Sequence, residues 1–460
     1  KYGLPPLLVQ TVKKLYKNCK VKIRVGKTFA EADYTTGVHQ GDNMSPVLFL
    51  FVIQAFLDTL KLSSNPINFS HFPENKNGNL DTIKGRLVSQ NTTAKGTPFS
   101  FNSSFYVDDS FFVFETIQEL RQAIIELNQH FSRFGLIMHL GSETSKSKSE
   151  AMFFPNSLKQ ARINYDNDIL PNYLQLPNNK KVHFVKNFKY LGSVITPLLN
   201  EDAEIDIRIK KAKSIMGASK HFFDNKDIDK KIKAEIYIAG PLNALLWGCE
   251  AWNLTKNNLK KIMSFHHSAI RRILNIRWDQ VREKHIKNRE VRGLLCNIPN
   301  IDAYINKRTA TYIGKISRSN PKTYPKKFLT AWIHGKRKNG HPQLTCNNNY
   351  ARVIEKIMPN DKPLINKQAP LKEWLPIAVI ENNWMECIDT YFNSCRNIIN
   401  LDELNPENVD EPENEKEVEP EEIVEDKYFF VLQAHNFLCF KHTIFCASST
   451  QFPVPPLSLL

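Results

Sequence analysis

The sequence predicts an α+β protein: antiparallel strand pairs with packed helices in the first part, then a mostly α-helical, basic remainder. Three observations predict it. Short runs rich in Phe, Tyr and Val flank turn residues at 101–115 and again at 184–195, which is hairpin chemistry. Between them Leu120, Ala123, Ile124, Leu127, Phe131 and Phe134 recur at helical spacing. From Glu201 onward the apolar period is helical almost throughout, and lysine and arginine are frequent.

At 460 residues the chain has room for two or three domains and a sizeable core. Its net charge of +15 is unevenly spread. Residues 402–426 hold thirteen acids and one base, Lys416, which leaves +27 on the rest, 61 bases against 34 acids. Such a body attracts polyanions, nucleic acid first among them; a soluble protein with a basic surface is the plainer account. Eight scattered cysteines are too sparse for a disulfide scaffold and fit a reducing, intracellular compartment. No apolar run approaches the roughly 18 residues a spanning helix needs, so no membrane partner is expected.

In chain order, residues 5–25 give a helix (Leu7, Leu8, Val12, Leu15, Tyr16) and an alternating strand (Val21, Ile23, Val25). Two glycines then bracket Gln40, Ser45 is expected as the N-cap of the next helix, and Pro46 as its first residue. That helix, from Val47 to about Leu62, is apolar almost all round and is expected to be buried. Residues 63–100 are polar and turn-rich, as in a surface insertion. The run Phe-Tyr-Val-Asp-Asp-Ser-Phe-Phe at 105–112 then reads as a hairpin holding Asp108 and Asp109 at its tip. Two adjacent carboxylates suit a hard cation such as Mg²⁺; a solvated Asp-Asp turn is the simpler alternative.

Thr116 and Glu119 predict a capping box for the following helix, and Gly135 its stop. A strand at 136–140, a Ser/Lys turn carrying Lys146 and Lys148, and a strand at 151–154 complete this part. Residues 156–180 read as a polar connection and 184–195 as a hairpin. The helices from 201 to about 274 display Lys210, Lys211, Lys213, Lys230, Lys231, Lys233, Lys260, Lys261, Arg271 and Arg272, which could track phosphates or merely face solvent. Tyr304, Tyr312, Tyr324 and Trp332 interleave with bases beyond 280, a composition for stacking on bases or for core packing. The boundaries that follow are 1–195, 196–275, 276–400, an acidic disordered linker at 401–427 and a tail of unknown structure at 428–460. In that tail His435, Cys439, His442 and Cys446 match a zinc pattern only loosely.

Four of these segments, in this order, resemble the palm of reverse transcriptases of non-LTR (LINE-like) retrotransposons. Gly37-Val38-His39-Gln40-Gly41-Asp42-Asn43-Met44-Ser45-Pro46 looks like motif B, and Tyr106-Val107-Asp108-Asp109 like the Tyr-x-Asp-Asp box, motif C. Ser147-Lys148-Ser149-Glu150-Ala151-Met152 is similar to motif D, and Phe188-Lys189-Tyr190-Leu191-Gly192-Ser193 to the primer grip, motif E. Leu246-Trp247-Gly248-Cys249-Glu250-Ala251-Trp252 continues the likeness into a helical thumb. The resemblance implies a polymerase palm at 1–195, a thumb at 196–275, and RNA-directed DNA polymerase activity. Its implied partners are an RNA template, a DNA primer or target DNA and deoxynucleoside triphosphates, in the nucleus and cytoplasm. It implies two Mg²⁺ ions at Asp108 and Asp109, and Lys148 beside the triphosphate. Gln40 and Gly41 would lie under the template–nucleotide pair, Tyr106 would border the site, and Tyr190, Leu191 and Gly192 would position the primer end. The family's motif A, with a further carboxylate on the strand facing motif C, is expected before Gly3, so the resemblance also implies a partial chain without fingers. His39 stands where the family usually has Arg or Lys.

Overall fold

A computed structural model describes residues 3–34, 37–39, 41–71, 97–155, 158–167, 169, 172–329, 331–333, 346–358, 371–396 and 429–437, the last as backbone alone. Gln40, the acidic stretch and Cys439, His442 and Cys446 lie outside them.

Helix α1 (Pro6–Leu15) and the hairpin β1 (Lys20–Val25) and β2 (Thr28–Asp33) come first. Helix α2 (Ser45–Thr59) begins earlier than expected, because Ser45 is its first residue and not its cap. Asp42 supplies the capping instead: its Oδ1 accepts the Met44 amide at 3.1 Å. Nor is α2 buried all round. Ile53 and Phe56 are buried, whereas Val47 and Leu50 are exposed, since no described element covers that side. The expected insertion at 63–100 contains two paired strands, β3 (Ile67–His71) and β4 (Thr97–Phe101).

Next come β5 (Ser103–Tyr106), β6 (Asp109–Phe114), α3 (Ile117–Arg133), β7 (Ile137–Met138) and β8 (Glu150–Phe154). Thr116 caps α3 as expected, its hydroxyl accepting the Glu119 amide at 3.1 Å. The polar connection after β8 proves to hold helix α4 (Leu158–Asn167) and strand β9 (Tyr173–Gln175). Two hairpins replace the single one predicted: β9 with β10 (Lys181–Phe184), and β11 (Phe188–Tyr190) with β12 (Ser193–Ile195).

The rest is helical: α5 (Asp202–Ala218), α6 (Lys220–Asp224), α7 (Lys230–Tyr237), α8 (Asn243–Leu245), α9 (Lys256–Ile273), α10 (Trp278–Glu283), α11 (Asn288–Leu294), α12 (Ile301–Arg318) and α13 (Tyr324–Phe328). Between α7 and α8 the helix widens into a π-turn at Ile238–Leu242, where Pro241 cannot donate to the helical ladder. Strand β13 (Trp332–Ile333), α14 (Cys346–Ile357), α15 (Leu371–Val379), α16 (Glu381–Ser394) and β14 (Phe429–Phe437) complete the order.

The main sheet runs β5-β6-β14-β8-β10-β9, with β7 on the far end of β14. β14, from the segment expected to be a tail, sits in the middle and is antiparallel to both β6 and β8. Phe112, Phe114, Leu120, Ile124, Leu127, Phe131 and Met152 are buried behind this sheet or under α3 and α2. A second core runs from Ile205 to Tyr304 and takes in Phe392, crossing residue 275 without a break. A third gathers Ala310, Ile313, Trp374, Trp384 and Ile388. Helix α12 feeds both of the latter, so its two halves join two cores. The aromatic group Phe69, Phe99, Phe101, Tyr324 and Phe328 ties β3 and β4 to α13, and β13 extends that small sheet. Tyr324 and Tyr304 are thus packing residues.

Candidate functional site

Asp108 and Asp109 lie where the pattern placed them. β5 and β6 are joined by a two-residue turn, Val107-Asp108, with Tyr106 paired to Asp109. Asp108 is exposed at the tip and Asp109, the first residue of β6, is half-buried. Two-residue hairpin turns need positive φ and favour Gly, Asn or Asp. Val107 nonetheless sits at φ +55°. A β-branched residue there stores about 1–3 kcal/mol of strain, and such outliers cluster at functional sites.

The β11–β12 hairpin meets this tip from 80 residues further along the chain. Tyr190 presents its ring edge-on to Phe111, centroids 5.1 Å apart. Burial raises the pKa of its phenol, and the negative charge of Asp109 raises it further. The turn itself, Leu191-Gly192, has φ +47° and +85°. Three side chains that sequence reading missed hold it. Buried Arg208 donates from Nη2 to the Gly192 carbonyl and from Nε to Glu204 Oε1, each at 2.5 Å. Glu204 Oε2 accepts the Val194 amide at 2.7 Å. Trp247 lies against the turn, its ring centroid 6.0 Å from the Arg208 guanidinium. A Cβ on Gly192 would come within 3.5 Å of its Nε1. Leu191 and Trp247 remain exposed at 40% and 48%, an unusual degree for apolar residues on so tightly held a turn. Lys189 and Lys211 rim them; burial, then the nearby charges of Arg208 and Lys189, lowers the Lys211 pKa. The available signal was the Glu204–Arg208 spacing of four inside a lysine-rich helix.

Lys148 leaves the sheet at the same end. Position 433 of β14 pairs with both Phe111 and Glu150, and position 435 with Asp109; Lys148 stands two residues before Glu150. Its loop is fixed from both sides. The Lys148 amide donates to His139 Nδ1 at 3.2 Å, and buried Ser147 shares a 2.8 Å hydrogen bond with His183 Nδ1. Burial, then Lys146 and Lys181, keeps the His183 pKa low. Gly141 is needed beneath the loop, since a Cβ there would overlap the Ser147 backbone nitrogen and the Ser145 carbonyl. The loop bearing Gly41, at φ +91°, is built on other groups. His39 stacks on Tyr16 at 4.4 Å and meets Tyr34 edge-on at 5.0 Å, while Tyr34 donates to the Val38 carbonyl at 2.7 Å.

Of the ten basic residues marked out on helices between 201 and 274, two are structural. Lys233 is buried and donates to the Phe223 carbonyl at 2.8 Å. Arg271 is buried over Trp278 and donates to Asn288. Lys261 pairs with Asp206 at 3.1 Å. Lys210, Lys211 and Lys213 are exposed on α5, the helix whose Arg208 holds the Leu191-Gly192 turn.

Two Mg²⁺ ions need more oxygen donors than one adjacent carboxylate pair. Among the described residues no group of three or more His, Cys, Asp or Glu could hold a metal ion, so the donors present do not fit a two-ion site. Among the same residues no helix is long and apolar enough to cross a membrane.

No family model and no solved structure matches the chain. It is 28% identical over 134 residues, 29% of its length, to an uncharacterized transposon-derived protein of Caenorhabditis elegans. The chain spans about half of that relative, 47% of its length.

Proposed function

We propose that this chain is the palm and thumb portion of an RNA-directed DNA polymerase of the non-LTR retrotransposon type. Its role is to hold a DNA primer on an RNA template and present the primer end to Asp108 and Asp109. The observation that carries this reading is the meeting of the Asp108-Asp109 turn with the Tyr190-Leu191-Gly192 turn through Phe111 and Tyr190. A site for the end of a strand needs that combination: carboxylates beside a rigid apolar step, with cations along its flank. In this reading Leu191 and Trp247 bear the terminal base pair, Lys189 and Lys211 lie on its phosphates, and Glu204 and Arg208 keep the step in place. Lys148 lies on the triphosphate side, at the sheet end it shares with Asp109. Gln40 and Gly41 belong under the template–nucleotide pair. Asp108 and Asp109 supply part of the oxygen donors for Mg²⁺, which when bound would polarise the reacting phosphate. Similarity to a transposon-derived protein supports a mobile-element origin.

The test is primer extension on an RNA template with Mg²⁺ by the protein that carries this chain. Asp108→Ala is expected to abolish incorporation while leaving hybrid binding intact; full activity in that variant contradicts the assignment. A second reading, a nucleic-acid-binding relic, is favoured by the incomplete donor set. It predicts salt-sensitive binding of the same hybrid and no incorporation by parent or variant.

A further inference from the structure

The middle of the main sheet is filled from the far end of the chain. β6 and β8 do not pair with each other; both run antiparallel to β14, so they are parallel, with one strand's width between them. Two strand spacings, about 9.5 Å, separate them. The walls of this slot are core strands: Phe112, Phe114, Ala151 and Met152 are all buried. Left open, the slot would bury a row of unpaired amides and carbonyls along both edges, at a cost of about 1–3 kcal/mol for each group left without a partner. The fold at 103–184 therefore requires a strand that it does not itself contain. That strand starts at Phe429, well downstream of Arg396, the last described residue before it. Its sequence, Phe-Phe-Val-Leu-Gln-Ala-His-Asn-Phe, has no charge and no proline and is rich in strand-forming residues. Main-chain hydrogen bonds carry such pairing, so an inserted strand behaves as a ligand.

We propose that the slot between β6 and β8 is a strand-acceptor site. Its ligand is an uncharged, proline-free extended peptide antiparallel to both walls, supplied by residues 429–437 as a detachable segment. Its occupancy orders the hairpin that bears Asp108 and Asp109, and the occupant sets which residue stands opposite Asp109, here His435. The site follows from sheet topology and is independent of the chemistry proposed for those carboxylates.

The experiment uses the full chain with a specific protease site inserted after Lys416. After cleavage, the C-terminal fragment is expected to stay bound, with slow amide exchange retained at Phe111, Phe112, Val113, Met152 and Phe153. A labelled peptide of residues 427–438 in excess should then replace it one for one, and the same peptide with Leu432→Pro should not. Three results overturn the proposal: loss of the fragment with exchange at those amides unchanged, failure of the peptide to enter, or equal entry by the proline peptide.

Discussion

Glu204 and Arg208, which sequence reading passed over, decide how the site is held. Both are buried, and they share one ion pair with the backbone of the β11–β12 hairpin. Removing one partner of a buried pair strands the other, at about 3–5 kcal/mol. Glu204→Gln should therefore lower unfolding free energy by that order in urea melts. Val107 offers the opposite case. Its φ of +55° suits Asn, so Val107→Asn should gain about 1 kcal/mol, read in the same melts. His266 belongs to the second core, where Nδ1 faces the Tyr237 hydroxyl at 2.8 Å and Nε2 the Pro299 carbonyl at 3.3 Å. Burial, with the neighbouring His267, pulls its pKa down to about 3. The unfolded imidazole, with a pKa near 6.5, takes up its proton first as pH falls. Stability is thus flat above about pH 7 and declines between about 6.5 and 3, by at most about 1.4 kcal/mol per pH unit from this group. His266→Leu should flatten that part of the pH profile.

At the scale of elements, the sequence was most legible where a period and a cap coincide. Thr116 with Glu119 and the stripe from Leu120 to Phe134 placed α3 within a residue or two. Aromatic alternation around Asp-Asp-Ser placed β5 and β6. It was least legible where polar residues form regular structure, as in α4, and where long basic side chains turn inward, as Lys233 and Arg271 do. Their apolar stems pack like aliphatic residues while the charged end finds a carbonyl or an aromatic ring, and spacing alone does not show this. Two predictions belong here. Replacing Lys210, Lys211 and Lys213 with Gln should weaken nucleic-acid binding evenly across sequences, and the salt slope should fall by roughly 0.9 for each phosphate no longer neutralised. Gly314→Ala would drive a Cβ into the Trp384 ring where α12 meets α16. Overpacking of this kind costs about 1–3 kcal/mol, so a clear drop in melting temperature is expected.

For the whole molecule, the order of motifs was readable because each is short and local, but their assembly was not. Nothing in a nine-residue apolar run far downstream says that it completes a sheet beginning at Ser103, because strand pairing leaves no local mark at such separation. The double use of α12, whose Tyr304 and Ile313 serve different cores, is equally hidden in one helical period. What these long-range contacts produce is one end of a sheet at which Asp109, Lys148 and the Leu191-Gly192 turn converge. The most direct test is a photoreactive nucleotide at the primer 3′ end of an RNA–DNA hybrid, cross-linked to the chain and mapped by mass spectrometry. The expected adducts fall on Tyr106, Tyr190, Leu191 or Trp247. Adducts confined to α12–α16, with none on the two turns, would contradict the site.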